Sequence, residues 1–368
     1  MMANLVLYRK YRPKTFSGMV GQEHIVKTLT NEILSGMISH SYLFSGPRGT
    51  GKTTLARLFA KAINCQNRQN FEPCNKCPAC LEINRGRAVD LIEIDAASNR
   101  GIEEVRDLRE GIKFSPTFLK YKVLILDESH QLSKDAANAL LKILEEPPAH
   151  AVFVLATTEI HKMIPTIISR CQRFDFYKLT TPQIIEKLNF ICKEEKANVG
   201  KEALELIALN AEGSMRDAEG ILDQILSFLP DTKIGAKDIQ DLLGLVDINL
   251  VIKFTDFLTS QDKGGAINFL NENLEKGLDV QEFTKALISY LRKILIFKIN
   301  PVSENPILSA LTKEMQGLAK EQAKKFQEDG LKRTLKLFLE AQNKMKYASI
   351  SQLPLEIAII EAVEPTNN

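Results

Sequence analysis

Five short apolar runs lie in the first half of the chain, separated by stretches of helical spacing. The runs are Ser41–Phe44, Leu91–Ile94, Val123–Leu126, Val152–Leu155 and Phe174–Phe176. Nearly continuous apolar runs of this length are typical of parallel strands that are covered on both faces. Because they alternate with helical stretches, the pattern predicts a five-stranded parallel sheet of the doubly wound α/β class.

Apolar residues recur at helical spacing between and before these runs. The predicted helices cover Glu23 to Ser35, Thr54 to Ile63, and a segment that Ser133 caps and that runs through Glu145 to the stop at Pro147-Pro148.

From Thr180 onward the pattern is helical only. Thr181 is predicted to cap a helix from Pro182 to Lys196, and Lys201–Asn210 and Met215–Leu229 follow. Beyond Gly244, apolar stripes predict more helices that pack together: Val280, Phe283, Leu287, Leu291 and Ile294, then Leu331, Leu335, Phe338 and Met345. We therefore expect α/β followed by all-α, with an α/β domain over 1–178, a first helical domain over 179–243 and a second over 244–368.

The composition of the chain excludes few classes of protein. With 44% hydrophobic and 26% charged residues the chain resembles an ordinary globular protein, and a net charge of +2 means that any nucleic-acid surface must be a local patch. No apolar run has the length of a membrane span, and no apolar signal segment follows the basic residues near the N-terminus. These features predict a cytoplasmic protein.

A glycine-rich loop follows the first predicted strand. Its residues, Gly46-Pro47-Arg48-Gly49-Thr50-Gly51-Lys52-Thr53, match the phosphate-loop pattern at every fixed position. Glycines let the backbone amides surround a polyphosphate at the start of a helix. Lys52 would contact the β- and γ-phosphates and Thr53 would bind Mg²⁺. A chance match in a glycine-rich turn is the alternative, and the flanking strand and helix argue against it.

Two further polar groups follow predicted strands. Asp127 and Glu128 end the third run, where open α/β sheets bind ligands, so Asp127 is expected to hold Mg²⁺ and Glu128 to polarise the attacking water. Thr157 and Thr158 end the fourth run, and a hydroxyl there could contact the γ-phosphate or the water. Helix capping is the alternative for the carboxylates and turn formation for the threonines.

Four of the six cysteines form one cluster, Cys65, Cys74, Cys77 and Cys80. Four thiolates at this spacing suit tetrahedral Zn²⁺, and a closed site of this kind is structural. Free or redox-active thiols are the alternative. Cys171 and Cys192 are expected to be buried apolar side chains.

Three basic features each have an ordinary structural interpretation, and two of them have a second one. Tyr8-Arg9-Lys10-Tyr11-Arg12-Pro13 could pack over a nucleotide or be a solvated arm. Arg170 could be an ordinary surface ion pair. Arg216 stands in the first turn of its predicted helix, against the helix dipole, and needs a negative partner, either a nucleotide phosphate or Asp217 or Glu219.

Taken together, these motifs resemble the gamma/tau family of bacterial DNA polymerase III, the ATPases of the clamp loader. The resemblance covers nearly the whole chain and is carried by Tyr11-Arg12-Pro13, the phosphate loop, the cysteine insert at 65–80, Asp95-Ala96-Ala97-Ser98, Asp127-Glu128, Leu140 to Pro148, Ala156-Thr157-Thr158, Ser169-Arg170-Cys171 and Gly213-Ser214-Met215-Arg216. The insert and Ser-Arg-Cys are its most specific parts.

The resemblance implies an AAA+ module with a helical lid, followed by a helical collar through which five subunits form a ring with delta and delta-prime. Nucleotide would lie against residues 46–53, Thr54, one of Thr157 and Thr158 as first sensor, and Arg216 as second sensor. Arg170 would enter the ATP site of the neighbouring subunit. The cofactors implied are ATP, Mg²⁺ and structural Zn²⁺.

The implied partners are the beta sliding clamp, primer–template DNA and the DNA polymerase III core. ATP binding and hydrolysis would load the clamp during replication, inside a DNA-directed DNA polymerase holoenzyme whose polymerase active site is not in this chain. Arg100 and Lys142 are candidates for phosphate contacts with DNA. Because the chain ends with the collar, it resembles the short form of the family.

Three rival functions are weaker. Another AAA+ machine, such as a Holliday-junction motor, does not account for the cysteine insert and Ser-Arg-Cys. A scaffold that has lost ATP binding conflicts with intact Lys52, Thr53, Asp127 and Glu128. A zinc-dependent DNA enzyme would need an open coordination position.

Overall fold

The computed structural model describes residues 5–98, 108, 110–229, 232–244, 246–300 and 313–363. The chain divides into two compact units, residues 1–234 and 235–368. No helix among the described residues has the length and apolar character needed to cross a bilayer. The predicted division at 243/244 stays a prediction.

A five-stranded parallel sheet forms the centre of the first unit. Its strands are β1 (Ser41–Ser45), β2 (Leu91–Asp95), β3 (Lys122–Asp127), β4 (Ala151–Thr157) and β5 (Gln172–Asp175). The spatial order is β2-β3-β4-β1-β5, and every neighbouring pair is parallel. Since parallel strands end at one edge, the segments after β1, β3 and β4 come together there.

Helices cover both faces of this sheet. The described helices of the first unit are α1 (Leu7–Lys10), α2 (Glu23–Ser35), α3 (Lys52–Ile63), α4 (Pro78–Arg85), α5 (Lys134–Glu145), α6 (Pro165–Ile168), α7 (Thr181–Glu194), α8 (Lys201–Asn210) and α9 (Met215–Phe228). One face of the sheet packs on α2 and α3 through residues such as Phe44 and Phe59, and the other packs on α5 through Phe153 and Leu140. The predicted α/β class is confirmed.

Several predicted boundaries need correction. The fifth strand begins at Gln172 and ends at Asp175, so Phe176 lies outside it, although it is still buried. The helix after the sheet is capped by Thr180 rather than Thr181, since the Thr180 amide donates to Gln183 Oε1 at 3.0 Å. Its last helical residue is Glu194, not Lys196. The Ser133 cap is confirmed, because its hydroxyl accepts from the Ala136 amide at 3.2 Å.

The described part of the second unit is helical. Its helices are α10 (Ala236–Leu243), α11 (Ile248–Thr259), α12 (Lys263–Glu275), α13 (Val280–Ile299), α14 (Lys313–Lys325), α15 (Glu328–Met345) and α16 (Leu353–Ala362). The predicted stripes form its core, where Phe283, Leu287, Leu291, Leu331 and Phe338 are fully buried.

One buried amide joins three of these helices. Gln322 on α14 accepts from the Tyr290 hydroxyl of α13 at 2.8 Å and donates to Ile252 O and Asp256 Oδ1 of α11 at 3.0 and 2.8 Å. A buried amide with every contact made fixes how the helices pack, because any shift would leave polar groups without partners.

Candidate functional site: the phosphate loop and its surroundings

The loop between β1 and α3 takes backbone conformations that suit glycine. Gly46, Gly49 and Gly51 have φ values of 148°, 74° and 98°. A Cβ on Gly46 would collide with the Phe176 carbonyl, and one on Gly49 would collide with the Ser214 hydroxyl. Glycine is therefore needed at these two positions both for conformation and for close packing.

Lys52 and Thr53 open α3 and face the carboxylates at the end of β3. Lys52 is 6% exposed and its ammonium donates to the carbonyls of Gly46 and Pro47, both at 2.8 Å. The Thr53 hydroxyl donates to Asp127 Oδ2 at 2.6 Å. Burial lowers the pKa of Lys52, and Glu128 and Asp127 oppose that shift. The sheet thus brings together loop and carboxylates that are far apart in sequence.

Glu128 stands beside the end of β4. Its backbone is left-handed, with a φ of 47°, and the Thr158 hydroxyl donates to its Oε2 at 2.8 Å. Thr157 is fully buried, and its hydroxyl lies 3.0 Å from Nδ1 of His130. Thr158 is thus the threonine that contacts the carboxylate, while Thr157 contacts the histidine.

The helix α9, within the predicted helical domain over 179–243, begins directly on the phosphate loop. The amide of Met215, first residue of α9, donates to Gly49 O at 3.0 Å, and Ser214 caps the helix by accepting from the Asp217 amide at 3.2 Å. Arg216 is exposed, with its guanidinium 5.1 Å from the centre of the Tyr8 ring. Among the described residues, no ion pair joins Arg216 to Asp217 or Glu219, so neither supplies the negative partner that its position in the helix calls for.

Several arginines lie near one another where the N-terminal segment, residues 8–13, approaches α9. Burial lowers the pKa of Arg12, and the charges of Arg57, Arg9 and Arg216 lower it further, against the opposing effect of Glu93. Arginines that repel one another at one place favour an anion there.

Arg170 lies apart from the loop of its own chain. Its guanidinium donates to Glu145 Oε1 at 2.7 Å and to Thr166 O at 2.9 Å, so within one subunit it forms the ordinary ion pair. A partly exposed pair of this kind contributes little to stability, and the arginine can exchange partners easily.

The four predicted cysteines converge. Their sulfur atoms all lie within 4.8 Å of one another, which among the described residues makes them a candidate metal cluster. The amide of Lys76, helped by that of Cys77, lowers the pKa of the Cys74 thiol to about 6, while burial raises that of Cys80. The donor set fits Zn²⁺, whose charge would hold all four as thiolates.

The prediction that the two remaining cysteines are buried is confirmed for Cys192 and only in part for Cys171. Cys192 is buried and Cys171 is partly buried, and burial raises the pKa of each thiol to about 11. Neither belongs to the metal cluster.

Family models match three consecutive parts of the chain. They are described as DNA polymerase III, delta subunit, for residues 21–180; DNA polymerase III clamp loader subunit, ATPase lid domain, for 183–229; and DNA polymerase III subunits gamma and tau domain III, for 234–367.

Curated relatives agree with these models. DNA polymerase III subunit gamma of Buchnera aphidicola subsp. Schizaphis graminum is 36% identical over 358 residues, which cover 97% of this chain and 98% of that protein. The chain belongs to the gamma/tau family of DNA polymerase III. The predicted resemblance is thereby confirmed.

Other members of the gamma/tau family are longer. DNA polymerase III subunit tau of Bacillus subtilis is 42% identical over 366 residues, which cover all of this chain and 64% of that protein. The chain thus spans less than two thirds of this relative. Among solved structures, the Thermotoga maritima RuvB Holliday junction branch migration motor has a TM-score of 0.48 and 19% identity, covering 67% of this chain and 79% of that one.

In this family member, most predicted site residues lie around one edge of the sheet. Residues 46–53, Thr54, Asp127, Glu128, Thr157 and Thr158 are there, and Arg216 is reached through the lid. Arg170 and the cysteines lie elsewhere. Lys142 is exposed on α5, and Arg100 lies outside the described residues.

Three contacts at the site escaped the sequence analysis: the close approach of Ser214 to Gly49, the ring of Tyr8 beneath Arg216, and the contacts of His130. In the sequence, only two residues could have indicated these contacts: Ser214 as a candidate helix cap, and His130, two residues after Glu128. The spatial neighbours of both come from distant segments.

Proposed function

We propose that the chain is an ATPase motor subunit of the bacterial DNA polymerase III clamp loader, which loads a ring-shaped sliding clamp onto primer–template DNA. The observation that carries the proposal is the phosphate loop joined to the carboxylate pair through Thr53 and Asp127, in a chain of this family. An intact loop and carboxylate pair argue for hydrolysis rather than a scaffold role.

The loop would bind the triphosphate of ATP. The backbone of residues 46–53 surrounds the phosphates at the start of α3, with Thr54 in the first turn. Lys52, which donates to the carbonyls of Gly46 and Pro47, would exchange them for phosphate oxygens. Thr53 and Asp127 would hold Mg²⁺, which supplies charge neutralisation for the phosphates.

Glu128 would act on the attacking water. It accepts the proton as the water oxygen bonds to the γ-phosphorus and the bond to ADP breaks, which leaves ADP and inorganic phosphate. Thr158, which already donates to Glu128 Oε2, is placed to hold the carboxylate or the γ-phosphate. This placement supports Thr158 as the first sensor, with its neighbour Thr157 as the alternative.

Two arginines would report on the state of the site. Arg216 at the start of α9 would contact the phosphates as second sensor, because the lid helix begins on Gly49. Arg170 would leave Glu145 and enter the site of the neighbouring subunit, where a charge supplied in trans can be worth ~10³ or more in rate. Hydrolysis would then depend on ring geometry.

The second unit would be the collar through which subunits assemble. Apolar side chains on one side of α16 remain exposed, at Leu353, Ile357 and Ile360, and their spacing fits one helix face. An unpaired apolar face of this kind supports contact with another subunit. We propose a five-membered ring with delta and delta-prime.

Other partners follow from the same role. They are the beta sliding clamp, the DNA polymerase III core and primer–template DNA, which would be bound through phosphates because the loader works at any sequence. Lys142 and Arg100 remain candidates for such contacts. A replication factor of this kind would work in the cytoplasm, and Cys65, Cys74, Cys77 and Cys80 would hold a structural Zn²⁺.

The test is steady-state ATP hydrolysis by this chain with the other loader subunits of its organism, with and without sliding clamp and primed DNA. We expect strong stimulation by clamp and DNA together. Arg170→Ala should lower the stimulated rate by about 10³-fold while nucleotide binding survives.

Arg173→Ala is the matched control, since Arg173 also forms an exposed ion pair near the same strand, with Asp175. It should keep the stimulated rate. A wild-type rate that ignores clamp and primed DNA would contradict the clamp-loading function and favour a different AAA+ machine.

A further inference from the structure

We propose that His130 is a positioning residue for Glu128, acting through Thr157 at the end of β4. The inference rests on the proposed function, because it gives His130 a part in ATP hydrolysis. It concerns a side chain outside the phosphate loop.

The imidazole is enclosed by oxygen atoms. The side chain is 5% exposed, and Nδ1 lies 3.0 Å from the Thr157 hydroxyl and 3.5 Å from Glu128 Oε2. Nε2 faces Glu159 Oε1 at 3.4 Å. A buried ring with oxygen next to both nitrogens is held in one orientation.

These contacts close a small circuit between two strand ends. His130 follows β3 and contacts Thr157, while Thr158 on the same turn donates back to Glu128 at 2.8 Å. The Thr157 hydroxyl also accepts from the Glu159 amide at 3.1 Å, which fixes the turn after β4. The position of Glu128 relative to Thr158 therefore depends on the histidine.

Glu128 has a backbone conformation that its surroundings must stabilise. A left-handed φ at a residue with a side chain is strained and persists only where the surroundings impose it. His130, two residues on, fixes the chain on one side of Glu128, and β3 fixes it on the other. Without the histidine the carboxylate has more freedom just where its aim matters.

A purely structural role for His130 is already filled by its neighbour. The Ser129 hydroxyl donates to Ala156 O at 3.0 Å and so joins the ends of β3 and β4. Loss of the imidazole should therefore leave the two strands together and change the aim of Glu128.

The experiment compares His130→Leu, His130→Asn and wild type in the full chain with its partner subunits. Asn places a polar atom where Nδ1 lies and can still reach Thr157, whereas Leu cannot. For His130→Leu we expect kcat to fall by about 10- to 100-fold, the range that a small misplacement of a catalytic group produces. KM and nucleotide affinity should change less than about twofold, and Asn should restore most of kcat.

His161→Leu is the matched control. Its Nε2 also lies near Glu159, 3.5 Å from Oε2, but the His161 side chain is 72% exposed and this contact involves neither Thr157 nor Glu128. It should keep wild-type kcat. If His130→Leu unfolds early, Thr157→Val removes the same contact from the other side and should give the same selective loss of kcat.

Normal kcat in His130→Leu would overturn the inference. So would equal losses in the Leu and Asn variants, or a loss of affinity that matches the loss of kcat. The proposed function is judged separately, by whether clamp and primed DNA stimulate wild type, since the basal rate alone suffices to compare the histidine variants.

Discussion

Buried charged side chains around the phosphate loop and α9 interact with other groups of the protein, but not always through ion pairs. Lys52 donates to two carbonyls, which keeps a buried ammonium satisfied with groups that a phosphate can replace. Glu219, on the inner side of α9, is 6% exposed, and burial raises its pKa to about 7 against the opposing charges of Lys187 and Arg12. This carboxyl therefore titrates near neutral pH.

Glu219 should make stability fall as pH rises. Its folded pKa lies above the usual value of 4.5, so between these pH values the folded protein binds more protons than the unfolded one. Its contribution is fully present below about pH 4.5 and is lost as pH rises through about 7. Glu219→Gln should stabilise the protein at pH 8 by about 3 kcal/mol and have little effect at pH 4.5.

Thermal unfolding at pH 4.5, 6 and 8 checks this expectation. Glu186→Gln, on the exposed side of α7, is the control and should leave the pH dependence unchanged. A Glu219→Gln variant whose melting temperature parallels wild type at all three values would show that Glu219 does not titrate in this range.

At the scale of elements, the cysteine insert holds the segment before α2. Glu72 accepts from the amides of Phe16 and Ser17 at 2.8 and 2.7 Å, and Asn75 donates to Lys14 O at 3.1 Å. Lys61 of α3 is 3% exposed and donates to Lys14 O at 3.0 Å and to Asn75 Oδ1 at 2.6 Å.

Negative charge on the four-cysteine cluster would stabilise the charged form of Lys61. Burial lowers the pKa of Lys61, whereas Cys80 and Cys65 raise it. Four thiolates around Zn²⁺ leave a net negative charge, which would offset the buried ammonium beside them. The insert therefore supplies hydrogen-bond partners to residues outside it, in the segment before α2 and in α3.

Removal of the proposed Zn²⁺ should loosen this segment. With a chelator that extracts Zn²⁺, the amides of Phe16 and Ser17 should exchange hydrogen at least about 10-fold faster, because metal binding supplies much of the folding energy of such a small insert. Exchange measured by mass spectrometry on peptides that cover 14–18 checks this directly.

Peptides from α5, which pack on the other face of the sheet, serve as the internal control and should not change. Full loss of zinc with unaltered protection at 14–18 would show that Glu72 and Asn75 hold the segment without the metal.

At the scale of the whole molecule, Arg170 forms an ion pair with Glu145 of its own chain. The phosphate loop of that chain therefore receives no arginine from its own Ser-Arg-Cys segment. If that arginine acts in trans, two defective chains should rescue each other. Lys52→Ala should abolish ATP hydrolysis in its own subunit but keeps Arg170, whereas Arg170→Ala keeps a complete loop.

Mixed assemblies of Lys52→Ala and Arg170→Ala chains should hydrolyse ATP at least about 10 times faster than assemblies of either variant alone. The rescue comes from those neighbours in which an intact arginine faces an intact loop. Mixtures no faster than the sum of the separate variants would place the action of Arg170 within its own subunit.

The fold class was predictable because its signals are local. Continuous apolar runs can be buried on both faces only in a central sheet, and stripes of helical spacing can be buried only by packing, so strands and helices followed from the pattern. Errors came at boundaries such as Thr180, where two adjacent threonines could both cap and only the bond with Gln183 decided between them.

The phosphate loop, the carboxylate pair and the four cysteines were also determined by the sequence alone, because in each the chemistry needs particular residue types at a fixed spacing. The tertiary structure decided what depends on neighbours from distant segments. It placed Ser214 on Gly49, gave Arg170 its partner Glu145, chose Thr158 over Thr157 as the contact of Glu128, and enclosed His130 between two strand ends. Such pairings are set by strand order and packing, which no local spacing encodes.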